Sequence, residues 1–288
     1  MPHKTKIKGA VLISGASRGI GRACALLLHK HGYKVFAGVR RKEDAVALGE
    51  IAGDGLIPVM LEITDADSIR QAVEQISDIT GDSGLYGLVN NAGVAVAGPL
   101  EFMPLERIRE QFEVNVIGQL GVTQALMPLL RKGHGRVINI SSKEGIIAMP
   151  FVGPYCASKF ALEALSDALR MELKPWGIPV SIIEPGTIST EIIQRSIAAA
   201  EDCIRSLPRD AAEMYQSCFD KARKASDKIA HVAIPVDAVA KIVLKALTDK
   251  RPRSRYTVGK DARILSLISR ILPDRLLDRL ILKQIGLD

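Results

Sequence analysis

The sequence predicts an α/β protein in which helices cover both faces of a doubly wound parallel sheet, giving three layers. Short apolar runs alternate with segments of helical periodicity along most of the chain, as is typical of parallel sheets. The runs are apolar at consecutive positions, which indicates strands buried on both faces. A glycine-rich turn, GASRGIG, joins the first run to the first helical segment. These three observations define the predicted fold class.

Seven runs are predicted as strands. They are AVLIS (10–14), KVFAGV (34–39), LIPVMLEI (56–63), GLYGLVN (84–90), RVINIS (136–141), PVSIIEPG (179–186) and RYTVG (255–259). Helices are predicted between them, ending at Gly32, over 43–51, through Ile69 to Ile76, and over 105–130, 155–175 and 236–247. Thr64 and Asp67 have the spacing of a capping box, which would begin the third helix.

No linker or repeat divides the chain, so we expect one domain over residues 1–288. Residues 7–186 form the predicted cofactor-binding and catalytic core. The strand rhythm breaks at 187–235, a helical insertion that follows the carboxyl edge of a strand, where open α/β sheets bind ligands. Residues 261–288 form an amphipathic C-terminal extension, in which apolar residues repeat at helical spacing in two segments separated by Pro273. We expect the extension to cover the substrate pocket or pack between subunits, with peripheral membrane contact as the alternative.

The composition argues against several classes of protein. The 288 residues are 47% hydrophobic and 25% charged, which is ordinary for a soluble globular protein. The four cysteines are scattered and the histidines lack metal-ligand spacing, so we expect no metal and a reducing, cytoplasmic location. The apolar runs are too short for a signal peptide or a membrane span. The net charge is +7, but no nucleic-acid-binding motif accompanies the dispersed cations.

The glycine turn predicts a dinucleotide site. Gly15, Gly19 and Gly21 have the spacing G-x-x-x-G-x-G, which differs from the common G-x-G-x-x-G fingerprint. The physical reason for glycine is the same, because glycine lets the backbone approach a pyrophosphate at the N–H groups and positive dipole of a helix N-terminus. A strand-to-helix turn without a ligand is the alternative.

The end of the second strand favours one nicotinamide cofactor over the other. NAD-binding proteins place a carboxylate there to bind the ribose 2′-OH. This strand instead ends in Arg40 and Arg41, with no carboxylate before Glu43. Arg18 in the turn and Arg40 can together bind a 2′-phosphate. The sequence therefore predicts NADP, with NAD as the alternative.

Tyr155 and Lys159 are four residues apart in a predicted helix, so their side chains share one face. A phenol with a pKa of about 10 is a poor proton donor or acceptor at neutral pH, and a nearby ammonium lowers that pKa. Tyr-x-x-x-Lys also occurs by chance on many helices. The pair is therefore a candidate acid/base whose assignment depends on the rest of the chain.

These segments resemble the short-chain dehydrogenase/reductase family. Over about residues 7–190 they occur in the family's order: SGASRGIG with Ser14 for threonine, NNAG (90–93), VNVIG (114–118), ISS (140–142), YCASK (155–159) and PGTIST (185–190). The resemblance implies a Rossmann-like fold and hydride transfer between a nicotinamide cofactor and an alcohol or carbonyl compound.

The resemblance also implies the site residues. Tyr155 is the acid/base, Lys159 lowers its pKa and binds the nicotinamide ribose, Ser142 donates a hydrogen bond to the substrate oxygen, and Asn115 holds a relay water. Implied cofactor contacts are Gly15, Ser17, Arg18, Gly19, Ile20, Gly21, Arg40, Glu62, Ile63, Asn91, Ala92, Gly93, Tyr155, Lys159, Pro185, Gly186, Ile188 and Thr190. Glu62 stands where the family usually has aspartate.

LYGLVNNAG, ALEALSDALRMEL and VSIIEPG resemble most closely the branch that contains retinol, 17β-hydroxysteroid and 3-hydroxybutyrate dehydrogenases. Residues 143–153 and 187–235 are expected to line the substrate pocket. The first segment contributes Ile146, Ile147, Met149, Phe151 and Val152, of which half are expected in the core. We therefore expect a lipophilic alcohol or ketone, such as a steroid, a retinoid or an acyl compound.

Two alternative functions stay open from the sequence. One is an NAD-dependent dehydrogenase of a small hydroxy acid, and the other is a dinucleotide-sensing regulator without turnover. Substitution of Tyr155 by phenylalanine separates the latter from an enzyme, because only an enzyme loses hydride transfer. In the family, the helices that carry Asn115 and Tyr155 usually form the subunit interface, so the resemblance implies a homodimer or homotetramer.

Overall fold

The computed structural model describes residues 8–52, 55–230 and 233–287. The expected domain limits at residues 1 and 288 lie outside these ranges, as do residue 7, where the expected core begins, and residues 231–232 of the expected insertion. The boundaries given below therefore refer to the described part of the chain.

Seven parallel strands form one sheet in the order β3-β2-β1-β4-β5-β6-β7. Their bounds are β1 Ala10–Ile13, β2 Lys34–Val39, β3 Leu56–Met60, β4 Gly87–Asn90, β5 Arg136–Ile140, β6 Val180–Pro185 and β7 Arg255–Val258. This sheet confirms the predicted doubly wound, Rossmann-like class. Because the order reverses between β1 and β4, a crevice opens at the carboxyl ends of these strands, where such folds bind ligands.

The described residues form eleven α-helices. They are α1 Gly19–Lys30, α2 Lys42–Ala52, α3 Ala66–Thr80, α4 Leu105–Phe112, α5 Gln119–Lys132, α6 Gly153–Glu172, α7 Glu191–Arg205, α8 Arg209–Ala230, α9 Val236–Thr248, α10 Lys260–Ile271 and α11 Asp274–Ile285. The helix predicted over 105–130 is interrupted by a π-helical segment, Glu113–Gly118. Such segments often occur at functional sites.

Alternation along the strands builds two apolar layers. Val11 and Ile13 of β1 pack with α1 and α9, whereas Leu12 packs on the opposite face with α3 and α5. Each of these three side chains is at most 1% exposed. Burying such a side chain contributes about 1.5–3 kcal/mol, so the central strand is fixed from both faces. The loops at its carboxyl end are thereby held in place.

The predicted capping box at the start of α3 is wrong. Asp65 is the N-cap residue, and its side chain accepts hydrogen bonds from the backbone N–H groups of Asp67 and Ser68. Thr64 instead directs both its backbone N–H and its hydroxyl to Glu62. A carboxylate one residue further along is the stronger acceptor at the helix N-terminus.

The insertion and the extension fold against one another. Helices α7 and α8 pack together, and α11 lies on α8. Ile281 and Ile285 of α11 are buried, so the last helix is an integral part of this side of the molecule. Within the described ranges, no helix has the combined length and apolar character needed to span a membrane.

Candidate active site

The glycine turn after β1 adopts a conformation that requires glycine. Gly15 and Gly19 have φ values of +64° and +55°, in the left-handed region that side chains disfavour. A Cβ atom on Gly21 would lie 2.3 Å from the carbonyl oxygen of Gly15. The turn is therefore too close to the first residues of α1 to accept a side chain at this position.

Asn91 fixes this turn to the end of β4. Its side-chain amide donates hydrogen bonds of 3.0 Å to the carbonyl oxygens of Ser14 and Gly15. In return, the Ser14 hydroxyl oxygen accepts from the backbone N–H groups of Asn91 and Ala92. Ser14, at the position where the family has threonine, thus links the end of β1 to the residues that follow β4 through its hydroxyl oxygen.

The N-terminus of α1 offers free donors toward the cavity. Arg18 is the N-cap residue, and its side chain makes no capping hydrogen bond. The first turn of α1 contains no acidic residue. Unsatisfied N–H groups and the positive end of the helix dipole thus remain available, an arrangement that suits a pyrophosphate.

Cationic side chains surround the far end of the same cavity. Arg18, Arg40 and Arg41 all line it. Arg40 lies 3.5 Å from Glu62, and Arg18 lies 3.5 Å from Glu191. These pairs are largely exposed, and such pairs contribute little stability. Both guanidinium groups can therefore exchange a carboxylate partner for a phosphate without a large loss.

The candidate catalytic side chains converge at the opposite end of this crevice. Tyr155 and Lys159 lie on the first turns of α6, and the Lys159 ammonium is 5.7 Å from the centre of the Tyr155 ring. That ammonium donates a 2.8 Å hydrogen bond to the carbonyl oxygen of Ile140, at the end of β5. Ser142 follows β5 directly and lines the same cavity as both side chains. Strand and helix thus bring all three residues together.

The structure does not show the expected lowering of the Tyr155 pKa by Lys159. Burial raises the pKa of the Tyr155 phenol, and the negative charge of Glu144 raises it further, while the Ser142 hydroxyl opposes both. Burial also lowers the pKa of Lys159 to about 8, against the opposing effects of Glu163 and Glu144. Desolvation disfavours both charged forms. At neutral pH Tyr155 is consequently a neutral phenol.

Asn115 is fully buried in the π-helical segment, and its side chain is hydrogen-bonded to Val94 and Ser158. Its amide nitrogen donates to the Val94 carbonyl oxygen at 3.0 Å and to the Ser158 hydroxyl at 3.1 Å, and its amide oxygen accepts from the Val94 N–H. Both amide hydrogens are therefore used. The predicted relay water would have to be held by an oxygen atom of Asn115.

One cavity of about 770 Å³ contains most of the predicted site. Every predicted cofactor contact except Gly21 lines it, as do Ser142, Tyr155 and Lys159. Gly21 and Asn115 lie behind its wall, where they hold the turn and the Val94 backbone. Gly21 was predicted as a cofactor contact and Asn115 as a catalytic residue; neither lines the cavity, and both roles stay predictions.

The rest of the cavity is mainly apolar. Met149, Phe151 and Val152 line it, whereas Ile146 and Ile147 do not. Ile147 is buried and Ile146 is half-buried, so the structure does not place half of these five residues in the core. Helices α7, α8, α10 and α11 complete the wall with Ile192, Ile197, Ala200, Phe219, Leu265 and Ile285. The extension therefore forms part of the cavity wall, and its predicted role as a cover of the substrate pocket stays a prediction.

Sequence reasoning missed three charged residues around Ser142. Lys143 donates hydrogen bonds to the Thr187 hydroxyl at 2.8 Å and to the Asp261 carboxylate at 3.1 Å. Glu144 accepts a short hydrogen bond from the Ser142 hydroxyl. Adjacent charges after the ISS segment were a signal for Lys143 and Glu144. Asp261 gave none, because it approaches Thr187 from 74 positions away.

The described residues contain no group of three or more histidine, cysteine, aspartate or glutamate side chains arranged to hold a metal ion. The cavity does present three polar groups of its own: a neutral phenol, a serine hydroxyl and a buried ammonium. Together these groups can polarise and protonate a carbonyl oxygen.

Comparison with known proteins places the chain in a family. A sequence profile of the short chain dehydrogenase family matches residues 9–201. An NADPH-dependent 3-dehydrocapnine reductase of Ornithobacterium rhinotracheale is 39% identical, over 95% of this chain and 96% of that protein. Retinol dehydrogenase 5 of Mus musculus is 37% identical, over 93% and 86%. The latter match confirms the predicted resemblance to the retinol dehydrogenase branch.

The fold leads to the same family. A short chain dehydrogenase of Burkholderia cenocepacia, solved in complex with NADP, superposes with a TM-score of 0.74 at 26% sequence identity, covering 95% of this chain and 98% of that chain. The family profile and the relatives match this chain in sequence, and not only in fold. The protein described here is therefore a member of the short-chain dehydrogenase family and an oxidoreductase.

Proposed function

We propose that the protein is an NADP(H)-dependent oxidoreductase that interconverts a lipophilic primary or secondary alcohol and its aldehyde or ketone. One observation carries the proposal: Ser142, Tyr155 and Lys159 meet in a cavity with cationic side chains at one end and apolar side chains at the other. A relative that is NADPH-dependent by name, and a neighbouring structure that contains NADP, support the cofactor. The retinol dehydrogenase relative supports a lipophilic substrate.

In the proposed reaction, Tyr155 and Ser142 act on the substrate oxygen. The bound reduced cofactor supplies the hydride to the carbonyl carbon. Tyr155 donates its phenolic proton to the oxygen, which completes the alcohol, and Ser142 positions that oxygen by a hydrogen bond. Burial keeps the Tyr155 phenol protonated by raising its pKa. A raised pKa also makes the phenol a weaker acid, so proton donation needs a positive charge nearby that favours the phenolate.

Lys159 and Asn115 support the proton donor in this proposal. The Lys159 ammonium lies beside the Tyr155 ring and is anchored to the backbone of Ile140. A positive charge at that position favours the phenolate that forms after proton donation. Asn115 keeps Val94 and Ser158 in register behind the pair. Solvent then returns a proton to Tyr155 by way of Lys159 and a water held by Asn115, as the family resemblance implies.

We assign the cofactor contacts as the sequence predicts. Arg18 and Arg40 bind the 2′-phosphate, and Gly15, Gly19 and the free N–H groups of α1 receive the pyrophosphate. The cradle fits that group, because the turn cannot accommodate a side chain and no acid occupies the helix start. Asn91 holds the turn against β4. The remaining predicted contacts line the nicotinamide and adenine ends.

The insertion over 187–235 and the extension over 261–288 form the proposed substrate-binding region. Phe151, with φ of +66°, packs edge-on against Tyr215 and Phe219 of α8. Apolar side chains of α7 and α11 close the same wall. A lipophilic chain that enters here displaces water from these surfaces, and each buried methylene contributes about 0.8 kcal/mol.

Two exposed surfaces support the proposed partners. Ile117 of the π-helical segment and Phe160 and Leu165 of α6 are exposed apolar side chains on the elements that form the family's usual interface, which supports a homodimer or homotetramer. Ile264, Leu267 and Ile271 are exposed along one face of α10. Arg263 and Arg270 flank that face in the sequence. This combination supports peripheral contact with an anionic membrane surface.

NADPH- and NADH-linked assays over steroids, retinoids, aliphatic ketones and 3-hydroxy acids test the proposal. We expect turnover of one or more lipophilic carbonyl compounds, with a lower KM for NADPH than for NADH. Turnover confined to small polar acids or sugars would overturn the substrate class. A preference for NADH would favour the alternative, an NAD-dependent dehydrogenase of a small hydroxy acid.

A further inference from the structure

Glu144 is a charged cavity residue that the proposed reaction does not use. Its side chain is 19% exposed and lines the same cavity as Ser142 and Tyr155. One carboxylate oxygen accepts the hydrogen bond from the Ser142 hydroxyl. An acidic side chain this close to the expected position of the substrate oxygen needs a reason, because a bare carboxylate repels the electron-rich carbonyl oxygen.

The charge of Glu144 is only partly compensated by the protein, because the buried Lys159 ammonium interacts with it through space without an ion pair among the described residues. Among the described residues its one ion pair is with Lys143, at 4.0 Å. Lys143 is 3.1 Å from Asp261 and donates a hydrogen bond there and another to Thr187. Its positive charge is therefore shared mainly with Asp261. In a partly buried site, a carboxylate without a close ion-pair partner attracts a cation.

We propose that Glu144 binds a positively charged nitrogen of the substrate, so that the substrate class is an amino ketone, or the amino alcohol in the reverse direction. This inference rests on the proposed function and names the polar group of its lipophilic substrate. An ammonium group offers three donors and no acceptor. It therefore satisfies the carboxylate as no neutral part of a ketone can.

The position of Glu144 also restricts where that nitrogen lies. The Ser142 hydroxyl lies within hydrogen-bond distance of the carboxylate and, in the proposed reaction, of the carbonyl oxygen, so these two acceptors lie at most two such distances apart. Each hydrogen bond spans about 3 Å. An amino group on one of the first two carbons beside the carbonyl satisfies this distance. The lipophilic chain on the other side of the carbonyl then extends toward Phe151 and Phe219.

Binding of the ammonium would also release Ser142. A serine hydroxyl has a single hydrogen to donate, and in the described structure Glu144 accepts it. A substrate ammonium neutralises the Glu144 carboxylate and so weakens its hydrogen bond with Ser142, and the Ser142 hydrogen can then be donated to the carbonyl oxygen. A ketone without the amino group leaves Ser142 directed at the carboxylate. Glu144 thereby couples recognition of the nitrogen to positioning of the oxygen that Tyr155 protonates.

The test compares three carbonyl substrates of matched chain length: a long-chain 2-amino-3-ketone, its N-acetyl derivative and the ketone without nitrogen. For each we measure kcat/KM of NADPH-linked reduction. A charge-assisted contact predicts that the wild-type protein prefers the free amine by about tenfold or more over both others. Glu144→Gln keeps the shape and removes the charge, so the preference should fall to about one. A preference ratio is insensitive to the fraction of folded protein.

Glu110→Gln is the matched control. Glu110 also lines the cavity, but Arg107 compensates it at 2.8 Å, so this variant should retain the preference for the amine. Equal kcat/KM for the three wild-type substrates, or a preference that survives Glu144→Gln, would overturn the inference. Failure to reduce any carbonyl compound would instead refute the proposed function.

A binding measurement keeps the inference testable without turnover. Calorimetric titration of the NADP-loaded protein with a long-chain primary amine and with the matching alcohol compares their affinities directly. We expect the amine to bind at least about tenfold more tightly, and Glu144→Gln to remove the difference. Equal affinity of the wild-type protein for amine and alcohol would overturn the assignment of Glu144.

Discussion

The Asp261 carboxylate, at the start of α10, lies 3.1 Å from the Lys143 ammonium, next to Ser142. The same carboxylate accepts a 2.8 Å hydrogen bond from the backbone N–H of Thr187. A Cβ atom on Gly186 would lie 2.1 Å from Asp261. The C-terminal extension is thereby joined to two active-site loops, one after β5 and one after β6.

We expect Asp261→Asn to loosen this junction. It removes a charge-assisted hydrogen bond and an ion pair, and partial exposure of the carboxylate limits the loss of unfolding free energy to about 1 kcal/mol. The KM for the lipophilic substrate should rise, because α10 and α11 form part of the cavity wall. Urea denaturation and steady-state kinetics measure both effects.

Asp274→Asn is the control, since Asp274 lies in the same extension and is exposed. Equal unfolding free energy and KM in the two variants would show that the junction does not position the extension.

Arg18→Ala and Arg40→Ala should shift the cofactor preference from NADPH toward NADH. Each variant loses a guanidinium that we assign to the 2′-phosphate, and NADH lacks that group. We expect about a tenfold rise in the KM for NADPH per substitution and little change for NADH. Arg70→Ala, an exposed arginine of α3 outside the cavity, should leave both constants unchanged. Parallel increases for the two cofactors would contradict the assignment.

The depressed pKa of Lys159 predicts how stability changes with pH. Burial lowers this pKa to about 8 in the folded protein, whereas an unfolded lysine retains its proton to about pH 10.4. Between these values the unfolded state binds more protons, so the free energy of unfolding should rise with pH, by on the order of 2 kcal/mol.

Lys159→Met removes this titration. Urea denaturation of both proteins at several values between pH 8 and 10 isolates the contribution of Lys159, because the other titrating groups are shared. A constant stability difference between the two proteins over this range would argue against a depressed pKa.

The exposed face of α10 predicts membrane association. Leu267 and Ile271 are 61% and 68% exposed, and replacing both by aspartate removes apolar contact and adds negative charge. We expect the wild-type protein to pellet with vesicles that contain anionic lipid, and the double variant to remain in the supernatant. Met171→Asp supplies a control, because Met171 of α6 is likewise 61% exposed. Equal pelleting of wild type and double variant would exclude this face as the contact.

The sequence was sufficient for the features that are local in the chain. Apolar runs predicted every strand, although the strand predicted over 56–63 ends at Met60 in the structure. The spacing of Tyr155 and Lys159 placed them on one helix face. Each of these signals lies within a few consecutive residues.

The features that the sequence did not predict depend on tertiary contacts. Asp261 meets Thr187 and Lys143 only after the chain returns to the sheet edge through β7. The direction of the Tyr155 pKa shift is set first by burial and then by Glu144, and neither effect is visible in helical spacing. The reacting groups could therefore be predicted from the sequence, whereas the direction of their pKa shifts could be obtained only from the structure.

Tyr155→Phe tests the central claim most directly. The substitution removes the proposed proton donor and keeps the ring, so binding of NADPH, followed by its fluorescence, should be retained. General acid catalysis contributes about 10²–10⁴-fold, and kcat for NADPH-linked reduction of the preferred carbonyl substrate should fall by that factor. A variant that binds NADPH and retains a rate within about tenfold of the wild type would contradict the assignment of Tyr155 as the acid.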